Sequence, residues 1–217
     1  MSALPPHQPP AGTPWTFRQL ARRRADGEYC DLCGREIPAD HQHLFEPAQR
    51  RLTCACDACA ILFDSIPSRA DNRKYRRVPR EVRRLPGFRL TDAQWDSLCI
   101  PIDLAFFSES TVTGHVVALY PSPAGPTESL LRLETWQDLV RDNPPLAQMQ
   151  PDVEALLVNR IGVARSTEPA EYFILPIDEC FRLTGLMRLH WKGLSGGTEV
   201  WRAIGAFFDD LRGRAHV

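Results

Sequence analysis

The chain has 217 residues, 26 Lys+Arg against 27 Asp+Glu, a formal net charge of −1 and 43 % hydrophobic residues. At roughly 150 residues per domain this is one domain, or one domain with a small appendage, long enough to bury a real core without staples. The balance excludes a uniformly basic nucleic-acid binder, an acidic solvating tail and a disordered or collagen-like chain.

Residues 1–16 open the chain as a Pro-rich tail with prolines at 5, 6, 9, 10 and 14, and read as disordered. They carry no Lys or Arg and no apolar h-region, so no secretory signal is expected. No apolar run approaches the ~18 residues of a membrane span. The expected location is therefore the cytoplasm, where cysteines persist as thiols or metal ligands.

A cysteine module is expected over residues 17–68. It holds five of the seven cysteines, in Cys30-Asp-Leu-Cys33-Gly34 and Cys54-Ala-Cys56-Asp-Ala-Cys59. Two C-x-x-C turns can each point two thiolates at one ion and together complete a tetrahedron. The expected ligands are Cys30, Cys33, Cys56 and Cys59. Cys54 lies two residues before Cys56, on the same side if both sit on a strand, and is a neighbour or alternative ligand. Either His41 or His43, between the pairs, is a further alternative. Zinc is the expected metal, with rubredoxin-like iron or an iron–sulfur cluster as the alternative. A knuckle, a hairpin and a Cys pair at a helix start resemble treble-clef fingers. Asp40-His41 between the pairs also resembles the HNH nucleases, but Ala60, Ile61, Leu62 and Phe63 supply no partner for a catalytic ion, so no catalytic residue is assigned.

Residues 69–90 form a basic connector. Arg73, Lys74, Arg76, Arg77, Arg80, Arg83 and Arg84 give it a charged docking surface, with Arg69 and Arg89 at its ends. The net charge hides this asymmetry: residues 17–90 hold 16 basic and 10 acidic side chains, residues 91–217 hold 10 and 17. Such a run reads first as a solvated connector or face; docking on an acidic surface, either the second half of this chain or a partner protein, and nucleic-acid contact are the alternatives.

Residues 91–217 read as an α+β domain with a mostly antiparallel sheet. Thr91-x-x-Gln94 is a capping box for a short helix with Trp95 and Leu98 inward. Strands are expected over 101–107, 114–120, 153–161 and 171–176. Residues 121–129 read as a Pro/Gly-rich loop and 134–141 as a helix stopped at Asn143-Pro144-Pro145. Two C-terminal helices follow. Asp178 is expected to cap the first. Val200, Ile204, Phe207, Phe208 and Leu211 form one apolar face of the second. Cys99 and Cys180 stand alone in apolar contexts and are expected in the core.

The phrases CDLCG, HQHLF, CACDACAILFD, IPIDLAFF, VALYPSPAGPTESLL, VEALLVNRI and IDECFRLTGLMRLHWKGLSGGTEVW, spread over residues 30–201, resemble an uncharacterised bacterial protein family of about this length. That family is encoded near genes of high-affinity uptake NiFe hydrogenases. The resemblance implies a non-enzymatic accessory protein whose partners are hydrogenase subunits or maturation factors. It implies no catalytic residues.

Overall fold

The computed structural model describes residues 27–65, 74–129, 133–163, 169–193 and 196–216. The Pro-rich tail, Arg69 and Arg73 lie outside them.

Two hairpins and a helix come first. Strands β1 (Glu28–Tyr29) and β2 (Glu36–Ile37) pair antiparallel. Strands β3 (Gln42–Glu46) and β4 (Arg51–Ala55) form the second hairpin, joined by a 3-10 turn over Pro47–Gln49 that Arg50 closes at φ 48. Helix α1 (Asp57–Ser65) follows, and β5 (Arg76–Arg77) returns to the other edge of β3. The result is a three-stranded antiparallel sheet of order β4-β3-β5.

After β6 (Arg83–Arg84) comes α2 (Asp92–Ser97), which begins as expected. The Thr91 side chain accepts from the Gln94 N–H, and the Gln94 side chain accepts from the Thr91 N–H. Trp95 and Leu98 are buried. Then come β7 (Leu104–Ser110), β8 (His115–Ser122), β9 (Gly125–Ser129), α3 (Leu133–Asp142), a 3-10 turn over Pro144–Gln148, β10 (Glu154–Asn159), β11 (Glu171–Pro176), α4 (Ile177–His190) and α5 (Gly197–Arg214). The large sheet has order β6-β11-β10-β7-β8-β9, with every neighbouring pair antiparallel. The architecture is α+β.

Both faces of this sheet are covered, so its central strands are apolar at consecutive positions rather than alternating. Leu104, Phe106, Leu157, Phe173 and Leu175 point into one core with α4 and α5. Ala105, Phe107, Leu156, Val158 and Ile174 point into the other, with Trp95 of α2 and Trp136 and Leu139 of α3. Val200, Ile204, Phe207, Phe208 and Leu211 are all buried, the apolar stripe read from the sequence.

Three expectations are corrected. Residues 121–129 are the end of β8, a two-residue turn and β9, not a loop. Gly125 takes φ 124 at the turn, and the Ser122 hydroxyl donates to its carbonyl at 2.8 Å. Pro121 and Pro126 sit opposite each other. They are tolerated because β9 is an edge strand and Pro121 lies past the last residue of β8 paired with β7. Cys180 is buried, but Cys99 is exposed. It ends the turn after α2 with φ 57 and its backbone N–H bound to Asp96, which places the thiol outside the core. Asp178 is not the cap of α4: Pro176 holds that position, and the Asp178 carboxylate reaches across to β3 instead.

Phe208 packs against Phe173 and Phe207 and is 2 % exposed. Phe208→Ala is expected to cost about 3–5 kcal/mol of unfolding free energy, read from a denaturant titration.

Candidate metal centre

The first C-x-x-C sits in the turn between β1 and β2. Cys30 donates its backbone N–H to the Arg35 carbonyl at 2.7 Å, and the Gly34 N–H returns to the Cys30 carbonyl at 2.8 Å. Gly34 takes φ 73, a conformation that costs glycine little. The second pair straddles the start of α1. Cys56 leaves β4 and accepts the Ala60 N–H on its carbonyl at 2.9 Å, and Cys59 lies in the first helical turn. There the helix dipole favours thiolate charge.

These turns bring one sulfur from each of Cys30, Cys33, Cys56 and Cys59 within 4.8 Å of all the others. The Cys33 and Cys56 sulfurs are 3.8 Å apart. A tetrahedron with metal–sulfur bonds of about 2.3 Å has edges of about 3.8 Å, so this donor set fits a four-thiolate ion. Cys30, Cys56 and Cys59 are buried with Ile37, Leu44, Ala60 and Tyr75 in a small core of their own, and Cys33 is exposed.

Burial pushes the Cys30 thiol up, but backbone N–H groups of Cys56, Leu32 and Cys33 and the Cys33 side chain outweigh it and bring the thiol down to about 6. Burial, then hydrogen bonds to Cys56, Cys33 and Cys30, push Cys59 up to about 12. A bound cation would favour the thiolate at all four positions, against the upward push of burial on Cys59.

Residues 29–215 match the model of a family described as a family of unknown function, DUF5947. The chain belongs to the DUF5947 family. No curated protein and no solved structure matches it.

The DUF5947 match spans the four cysteines and every strand and helix from β2 to α5. In this DUF5947 chain Cys54 does not share the fate of Cys56. Strand β4 ends at Ala55, so Cys56 turns into the start of α1, whereas Cys54 stays on the sheet directly across from His43. Asp31 holds the Cys54 backbone, its carboxylate accepting the Cys54 N–H at 2.8 Å and its own N–H donating to the Cys54 carbonyl at 2.9 Å. The Cys54 thiol is raised by burial, then by the charges of Asp31, Glu28 and Cys30. His41 and His43 also stand outside the four-cysteine cluster. One ring nitrogen of each lies within 4.8 Å of the other and of the Cys54 sulfur. That second grouping was not read from the sequence as a unit, although the His43–Cys54 register of a hairpin centred on the Pro47 turn would have suggested it.

The basic stretch is spread over several partners. Arg76 donates to Asp152 at 3.1 Å, Arg83 to Glu154 at 3.2 Å and Arg84 to Glu171 at 3.2 Å, all carboxylates of the second half. Arg80 donates to Asp40 at 2.8 Å. Lys74 lies 3.9 Å from Glu46 and over the Tyr75 ring. The Arg77 backbone N–H donates to Asp64.

Cys30→Ser and Cys59→Ser are each expected to lower bound metal and destabilise the finger, because one hydroxyl cannot replace a thiolate in a closed four-thiolate site. Cys99→Ser is expected to leave metal content unchanged. Elemental analysis of the three variants beside the parent chain checks this.

Proposed function

We propose that Cys30, Cys33, Cys56 and Cys59 hold a structural zinc ion, and that this is a non-enzymatic accessory protein acting through protein–protein contacts. The observation that carries the first part is the closed donor set: four cysteine sulfurs within 4.8 Å of one another, three of them on buried residues. Structural zinc sites are closed by four protein ligands, whereas catalytic ones keep a position open. The knuckle, hairpin and helix around it have too small a core to stand without a staple. Zinc here supplies folding energy, and the chain's own residues do the rest: the β1–β2 turn and the α1 N-terminus present the thiolates.

The accessory role is supported by two features. The finger helix exposes Ile61 and Leu62 on adjacent positions, at 58 % and 56 %, apolar surface of the kind partners cover. The phrases from CDLCG to HWKGLSGGTEVW resemble a family encoded beside uptake NiFe hydrogenases, which points to assembly, maturation or function of such an enzyme in the cytoplasm. Lys74, Arg77 and Arg80, exposed at the junction of finger and large domain, form the charged part of the docking surface.

Protein purified anaerobically is expected to be colourless and to carry zinc that Cys30→Ser removes. A coloured, iron-containing protein would replace this reading by a rubredoxin-like or iron–sulfur electron carrier. Deleting the gene is expected to reduce uptake hydrogenase maturation or activity, and hydrogenase subunits are expected to copurify with the protein. Unchanged hydrogenase in the deletion strain would sink the accessory role.

A further inference from the structure

From the second donor grouping we infer that His41, His43 and Cys54 form a further metal site, distinct from the four-cysteine centre, that takes a divalent ion of borderline softness such as zinc with a fourth position open to solvent.

The argument starts from the histidine nitrogens. Nδ1 of His43 lies 2.7 Å from the Asp178 carboxylate. Nδ1 of His41 lies 2.9 Å from both the Pro38 carbonyl and the Glu28 carboxylate. These partners only accept, so each Nδ1 carries the hydrogen and donates it. The lone pair of each neutral ring then sits on Nε2. This is the arrangement of metal-binding histidines, in which a carboxylate or carbonyl fixes the tautomer through the far nitrogen and raises the basicity of the near one.

The His41 side chain is 6 % exposed, and its Nε2 is buried with no hydrogen-bond partner among the described residues. Leaving a buried acceptor unmatched is unfavourable, and a bound cation removes that cost. The two rings meet edge to face with centroids 4.7 Å apart. Cys54 supplies the third donor from the neighbouring strand, on a backbone pinned by Asp31.

The donor set is two imidazoles and one thiolate. It suits zinc and its neighbours rather than calcium or magnesium, which take oxygen. Cys54 and His43 are partly exposed, so solvent reaches the fourth position. A site of three protein ligands with an open position exchanges its ion and admits an outside ligand, unlike the closed four-thiolate centre. The two sites share no ligand.

The test is metal stoichiometry and thiol protection on the full chain. With zinc or cobalt(II) in slight excess, the parent protein is expected to hold two ions. His43→Ala and Cys54→Ala should each hold one, with the spectrum of a four-thiolate cobalt site intact. Asp178→Asn, which disturbs only the positioning of His43, should weaken the second ion by about 10–100-fold and leave the first unchanged. A measurement that needs no variant is alkylation of Cys54 in the parent chain, followed by peptide mass spectrometry, which zinc should slow. A parent protein holding one ion that Cys54→Ala retains would overturn the proposal. So would Cys54 labelling at equal rates with and without zinc while the four clustered cysteines are protected.

Discussion

Strand β3 belongs to two cores at once. Its pleat sends alternate side chains to opposite faces. Leu44 enters the small core around the four cysteines, whereas Phe45 enters the large core and lies 6.2 Å from Phe181 of α4. His43, on the same side as Phe45, reaches Asp178 at the start of that helix. The edges of β3 are occupied by β4 and β5, and its carbonyl at His43 also accepts the Val78 N–H at 3.0 Å. A one-residue slip would put Phe45 among the thiols and Leu44 against α4. The position of both donor groupings therefore follows from the register of one five-residue strand.

The near-zero net charge has a structural explanation. Arginines between the cysteine cluster and α2 meet carboxylates of the second half that are almost fully buried: Arg76 with Asp152, Arg83 with Glu154 and Arg84 with Glu171, which Arg212 of α5 also pairs. Asp152 is further held by the Thr111 hydroxyl and backbone, and Glu154 by the Gln150 N–H. Buried carboxylates of this kind add little net stability against an apolar replacement. Removing one partner, however, leaves an uncompensated charge, so the pairs specify which surfaces meet. The +6 and −7 of the two halves are thus in part an internal contact.

Much of this was legible in the sequence because it is local. C-x-x-C spacing, the Thr91–Gln94 box and the stripe from Val200 to Leu211 each depend on residues a few positions apart. The rest depends on features that the local residue pattern does not carry. Asp178 looks like a cap from its neighbours, and only the fold supplies His43, 135 residues away. The C-x-x-C turn favours Cys56 over Cys54, and the two part where strand β4 ends at Ala55. Cys99 has apolar neighbours on both sides, yet one positive φ turns it outward. Residues 121–129 contain the prolines and glycine of a loop, and they pair only because an edge strand accepts prolines. The arginine run looks like a solvated connector until its carboxylate partners arrive from β10 and β11.

The ordering of contacts along the chain also fixes an order in time. All four clustered cysteines and both hairpins of the finger lie within residues 28–59. Strand β6, by contrast, pairs with β11, so the large sheet cannot close until Pro176 has been made, and the bridge from Arg83 to His216 forms later still. Loop-closure entropy delays such long-range pairing, while short-range pairing is quick. On the ribosome the cysteine finger is therefore complete while the large domain is still a growing chain. Asp178, which orients His43, is synthesised more than a hundred residues after the finger, so the two donor groupings mature at different moments of synthesis.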